Sequence, residues 1–173
     1  MDKALLDAFR DTDYLVCLDD VEIAPAHPAP ALWVPPFGAP ALRVPPLGVP
    51  ATLAHPWAAW VRIRIDQPLP ESLQTLVGTR SWGFITAWNP RSEQRSPAEN
   101  LAAQRELLEA LCVSPQTLVY PAIGVGASGW SEPSLLAIGP DFSTLDALGQ
   151  RHEQNAYVRG QGMEIARLRL LHP

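Results

Sequence analysis

Hydrophobic and polar residues change rhythm several times along the chain, and each rhythm predicts an element. Leu5, Leu6 and Phe9 crowd one side of residues 3–10, which predicts a short helix. Tyr14-Leu-Val-Cys-Leu18 has strand composition. Trp60-Val-Arg-Ile-Arg-Ile65 alternates, with Val61, Ile63 and Ile65 on one face and Arg62 and Arg64 on the other. Leu69, Leu73, Leu76 and Val77 have helical spacing, and Gly78 stops that helix. Phe84-Ile-Thr-Ala-Trp88 reads as a strand ended by Asn89-Pro90. Ser96-Pro-Ala-Glu99 is a helix start: Ser96 at the N-cap, Pro97 at the first helical position, Glu99 reaching back as a capping box. That helix runs to about Leu111, with Leu101, Leu108 and Leu111 on its buried face. Strands follow over 118–123 and 134–138, the second stopped by Gly139-Pro140. Phe142, Leu145 and Leu148 mark a helix over 141–151. Residues 155–159 and 165–170 are strands, with Gly160 and Gly162 supplying the turn between them.

Residues 84–159 thus run strand, helix, strand, strand, helix, strand. That order predicts an α+β fold built on a ferredoxin-like split βαβ unit (βαββαβ). Right-handed crossovers place both of its helices on one face of a mainly antiparallel sheet. The extra N- and C-terminal strands, over 14–18, 60–65 and 165–170, extend the sheet or cover its open face. The whole chain, 1–173, reads as a single α+β domain.

One stretch fits no element. Of 19 prolines, ten lie between Pro25 and Pro56, where Arg43 is the only charged residue. Ala31-Leu-Trp-Val-Pro-Pro-Phe-Gly-Ala-Pro40 is nearly repeated by Ala41-Leu-Arg-Val-Pro-Pro-Leu-Gly-Val-Pro50. Paired prolines fix φ and remove donors, which opposes helix and central strand alike. Residues 24–57 are therefore expected to form an extended Pro-rich surface insert that splits a hairpin. Such a segment is a docking element for an aromatic groove or a duplicated loop without a partner.

Composition narrows the function. The formal net charge of −5 opposes a duplex-binding module, so no nucleic-acid partner is expected. No apolar run reaches the roughly 20 residues of a membrane span. The acidic start, with Asp2, Asp7, Asp11 and Asp13, carries no signal-peptide pattern, which predicts a cytoplasmic protein. Cys17 and Cys112 are far apart and read as core residues. His27, His55, His152 and His172 show no ligand spacing, and His152 reads as a surface residue. Neither a metal nor a cofactor is expected.

Topology does more than composition. If the strand ending at Asn89 runs upward, the Ser96 helix, the loop 124–133 and the start of strand 155–159 all lie at the same end. Asn89, Ser92, Ser96, Glu99, Asn100, Trp130, Glu132, Gln154 and Asn155 then converge from four segments, as sites on rigid scaffolds do. Each also has a structural reading. Glu99 completes the capping box, Asn89 makes a turn, and Gln154 and Asn155 satisfy sheet-end backbone groups. Glu132, between Trp130 and Pro133, is the candidate acid–base residue, with a desolvating tryptophan beside it. Gly124-Val-Gly126-Ala-Ser-Gly129 matches GxGxxG, but a strand follows where the dinucleotide fingerprint needs a helix, so it reads as a hairpin loop.

Phe84-Ile-Thr-Ala-Trp-Asn-Pro90, Ser96, Glu99-Asn100, Trp130-Ser-Glu-Pro-Ser134 and Gln154-Asn155-Ala156 together resemble an uncharacterised bacterial family, domain of unknown function 3293. The resemblance covers about residues 10–170, less the insert. It implies a bacterial source and adds weight to Asn89, Glu99, Asn100, Glu132, Gln154 and Asn155. It implies no reaction.

Three functions remain open at this point. The first is a binding module for a small polar or anionic ligand over the Ser96 helix N-terminus, with Trp88 or Trp130 stacking on it. The second is a hydrolase or transferase using Glu132 as general acid or base. The third is a protein-interaction module acting through the Pro-rich insert.

Overall fold

A computed structural model describes residues 3–18, 60–127 and 129–171. The expected Pro-rich insert over 24–57 lies outside the described residues. The elements are α1 (Lys3–Arg10), β1 (Asp13–Cys17), β2 (Trp60–Ile63), α2 (Glu71–Val77), β3 (Ser81–Ile85), α3 (Pro97–Leu111), β4 (Leu118–Val125), β5 (Ser131–Ile138), α4 (Phe142–Arg151), β6 (Ala156–Gln161) and β7 (Arg167–Leu170). The seven strands form one sheet in the order β2-β1-β4-β5-β3-β6-β7. Every pairing is antiparallel. The fold is α+β, with four α-helices among the described residues.

Strand residues alternate between two cores, as the pleat requires. One face carries Val16, Ile63, Trp82, Phe84, Tyr120, Leu136, Ile138 and Val158, covered by Leu73 and Val77 of α2 with Phe9 of α1 at its margin. The other carries Ile85, Val119, Leu135, Ala137 and Tyr157, covered by Leu107, Leu108 and Leu111 of α3 and by Leu145 and Leu148 of α4. The two long helices share a face, as expected for the helices of the 84–159 run. The helices do not all lie on one face, however: α1 and α2 take the other, because the strands expose more apolar surface there than a bare face can leave to water.

Two local differences bear on function. β3 ends at Ile85 rather than Trp88, because side chains take over its backbone groups: the Ala87 amide donates to Gln104 Oε1 at 2.9 Å and the Trp88 amide to Thr86 Oγ1 at 3.0 Å. In α3, Leu101 is only half-buried, and the inward row is Asn100, Gln104, Leu107, Leu108 and Leu111. Two amides thus take part in an inward row that was expected to be leucine alone, because they satisfy the chain leaving β3. His152 corrects a further expectation. It is buried at the end of α4, where desolvation pushes its imidazole pKa down.

Candidate functional site

On the face covered by α2, the apolar rows give way to polar residues toward one end of the sheet. Extending each row by twos leads from Tyr14 to Thr12, from Ala122 to Gly124, and from Leu136 to Ser134 and Glu132. It leads likewise from Phe84 to Thr86 and Trp88, and from Val158 to Ala156 and Gln154. These residues line a cavity of about 740 Å³. Leu5, Ala8 and Phe9 of α1 form another wall, and Asn89, Ser92, Arg95, Asn100 and Asn155 close the polar end. Its size suits a small organic molecule.

Glu132 lies inside β5, opposite Gly124 of β4, rather than in the entrance loop. Its Oε1 accepts a hydrogen bond from Asn89 Nδ2 at 2.9 Å. Burial pushes the carboxyl pKa up, and the Asn89 bond offsets this in part. Tyr14 stands close by, edge-on to Phe84 with ring centroids 5.0 Å apart, and its hydroxyl donates to the Phe9 carbonyl at 2.8 Å. Burial raises the phenol pKa, and the negative charge of Glu132 raises it further.

Asn89 is itself held on every side. Its Oδ1 accepts from Asn100 Nδ2 at 2.9 Å and from the Arg95 amide at 3.1 Å, while its own amide donates to Asn100 Oδ1 at 2.9 Å. The backbone here is unusual. Asn89, Arg91 and Ser92 all have positive φ, as does Glu153 on the facing segment. The Arg91 amide donates to the Glu153 carbonyl at 2.8 Å, and their side chains pair at 3.1 Å. Asn155 Nδ2 donates to Ser92 Oγ at 3.0 Å, and Gln154 Nε2 to the Trp88 carbonyl at 3.1 Å. Strained residues of this kind persist only where the surroundings over-determine them, and they cluster at functional sites.

The structure therefore brings together Asn89, Ser92, Asn100, Trp130, Glu132, Gln154 and Asn155. Trp130 is exposed, and its indole lies against Gly126, where any Cβ would overlap the ring. Ser96 and Glu99 stay outside. The Ser96 amide and hydroxyl donate to Glu99 Oε2 at 3.0 and 2.6 Å, and the Glu99 amide donates to Ser96 Oγ at 3.3 Å. Those bonds hold the Glu99 carboxyl below its usual pKa, so the start of α3 carries its own anion. That closes the place where an external anion was expected to dock. Tyr14, Thr86, Gly124 and Phe9 belong to the cavity and were missed. The signal for the first three was present in the period-two rows, once the strands are aligned.

Among the described residues, no group of three or more His, Cys, Asp or Glu side chains comes together to hold a metal, and no helix is long and apolar enough to cross a membrane. Cys17 and Cys112 are half-buried and line no part of the cavity. Residues 85–157 match the model of the family described as Protein of unknown function (DUF3293), so the resemblance carried by the motifs holds over that stretch. It includes Asn89, Asn100, Glu132, Gln154 and Asn155, whereas Phe9 and Tyr14 of the apolar wall lie outside it. No curated protein and no solved structure matches the chain.

Proposed function

We propose that this chain binds a small organic molecule in the cavity at the polar end of the sheet, with Glu132 as the recognising group. The observation that carries the reading is the position of that carboxyl. It faces a cavity of about 740 Å³, is desolvated, and is aimed by an asparagine that is itself fixed by three hydrogen bonds. A group needed only for stability has no reason to be oriented toward empty space at the cost of desolvation. Aromatic and aliphatic walls supply area, and the few convergent polar groups supply specificity, which is the usual division of labour in such pockets.

A second reading is favoured by one further observation. A desolvated carboxyl with a raised pKa is suited to general acid–base work, and Glu132 is the candidate for it in a hydrolase or transferase. We also read the run from β3 to β6 as a ferredoxin-like split βαβ unit, supported by its strand order β4-β5-β3-β6. A single cytoplasmic domain of bacterial origin remains our reading of the whole chain. Interaction through the Pro-rich insert rests on the sequence alone.

The test is a ligand-observed NMR screen of small fragments against the wild-type chain and Gly124→Leu. Gly124 lines the cavity, and the nearest atom to an added Cβ is Thr12 Cγ2 at 3.7 Å, so a leucine fits the backbone and fills the space. Fragments that bind the wild type and not the variant support the reading. A screen with no such fragments removes it.

A further inference from the structure

We propose that the cavity selects a small organic ammonium: a primary amine, protonated at neutral pH, on an apolar or aromatic body. This rests on the proposed binding function and names the chemical class the same site takes.

The argument is an inventory of what the polar end can still offer. Asn100 Nδ2 donates to Asn89 Oδ1 and to the Arg95 carbonyl, and Gln154 Nε2 donates to the carbonyls of Trp88 and His152. Both amides have thereby committed both of their hydrogens to the protein. Asn89 Oδ1 is saturated from two sides, and one of the Asn155 amide hydrogens goes to Ser92. Glu132 accepts from Asn89 through Oε1, and among the described residues no hydrogen bond reaches its Oε2. Around Glu132, away from the exposed rim, what remains facing a ligand is acceptor-rich, with a carboxylate at its centre. Gln94 and Arg95 also line the cavity but are exposed, and the Arg95 guanidinium meets the exposed Glu93 carboxylate at 3.3 Å.

An acceptor-rich end calls for a donor-rich ligand, and a carboxylate calls for a cation. The walls agree. Phe84, Trp88, Trp130 and Tyr14 border the same space, and aromatic faces attract organic cations as well as apolar bodies. A carboxylate ligand would instead meet Glu132 as a like charge in a partly desolvated site.

Isothermal titration with three probes of one shape tests this: 2-phenylethylammonium, 2-phenylethanol and 3-phenylpropionate. The ammonium is expected to bind tighter than the alcohol by about tenfold or more, and the carboxylate weakest of all. Glu132→Gln should erase the preference for the ammonium over the alcohol, and Gly124→Leu should abolish binding of both. Nα-acetyl-lysine amide, standing for a lysine on another protein, should bind more weakly than 2-phenylethylammonium; equal or tighter binding overturns the assignment to a free small molecule. The order of the three probes on the wild-type chain decides the charge selection even if a variant fails to fold. Equal or better binding of the alcohol or the carboxylate, blocked by Gly124→Leu, overturns the ammonium and leaves the cavity reading standing. Ammonium binding that Gly124→Leu leaves intact removes both.

Discussion

The two faces of the sheet are built from the same strands, residue by residue in alternation, yet they end differently. On the face of α3 and α4, helices of 15 and 10 residues pack on the strands, and the buried residues form one core cluster. On the opposite face, α2 and α1 have 7 and 8 residues. α2 covers the apolar rows, and α1 only borders what lies beyond them, so a cavity opens where the rows turn polar. The difference teaches where this fold can afford chemistry. The sealed face supplies rigidity, and the face with shorter cover carries Glu132, the one carboxyl among the described residues whose pKa burial raises.

The comparison breaks most visibly in stability. Leu107 is fully buried on the sealed face, and Leu107→Ala should cost about 2–5 kcal/mol in urea unfolding. Phe9 is only half-buried beside an existing cavity, and Phe9→Ala should cost less than about 2 kcal/mol despite removing a larger side chain. Equal losses would show that α1 is as much a part of the core as α3, and the contrast between the faces would fail.

Asn100 tests the junction between the two regions. It belongs to α3, is 3% exposed, and clasps Asn89 through two bonds of 2.9 Å. Asn100→Ala leaves the Asn89 amide without its acceptor, for an expected loss of about 1–3 kcal/mol. Hydrogen exchange at the Asn89 amide should accelerate far more than exchange in β4 or β5. A uniform acceleration across the sheet would show that the 89–92 segment is not a separately held unit.

How far the sequence foretold this architecture can be argued from α3. Its capping box was legible because it is local: Ser96 and Glu99 are three residues apart and need no tertiary partner. Its buried face was legible only in part: Leu108 and Leu111 are buried as expected. Leucine spacing selected Leu101, whereas the structure turns Asn100 and Gln104 inward to satisfy the amides of Asn89 and Ala87. Hydrophobic periodicity cannot register an amide that is buried for its hydrogen bonds. The site shows the same division. Asn89, Glu132 and Gln154 were found because topology brings their segments to one end. Tyr14 and Phe9 were not, since their place at the cavity depends on β1 pairing with β4 across more than a hundred residues.

Gly126 sharpens the open region with a smaller effect. Its lack of a side chain lets the Trp130 indole lie against the hairpin backbone. Gly126→Ala should cost no more than about 1 kcal/mol, because Trp130 is exposed and can swing outward. The Trp130 indole N–H resonance should nevertheless move, and binding of 2-phenylethylammonium should weaken. An unchanged indole resonance would remove Trp130 from the cavity wall.

Glu132→Gln has the smallest expected effect on stability, and its sign carries the information. In the folded chain the carboxyl pKa is raised by desolvation, so the native state holds this proton more tightly than the unfolded state does. The stabilisation that Glu132 contributes is therefore fully present below the ordinary carboxylate range and is lost as pH rises through the raised value. Glutamine does not titrate, and its carbonyl can still accept the Asn89 bond. Relative to wild type, the variant should gain stability on going from pH 4 to pH 8. Paired urea unfolding curves across that range measure it. A variant that instead loses stability as pH rises would mean that the ionised carboxylate already has a favourable partner in the folded chain. Glu132 would then be a satisfied structural ion, on the same footing as the well-packed side chains of the sealed face, and the cavity would lose the group that distinguishes it.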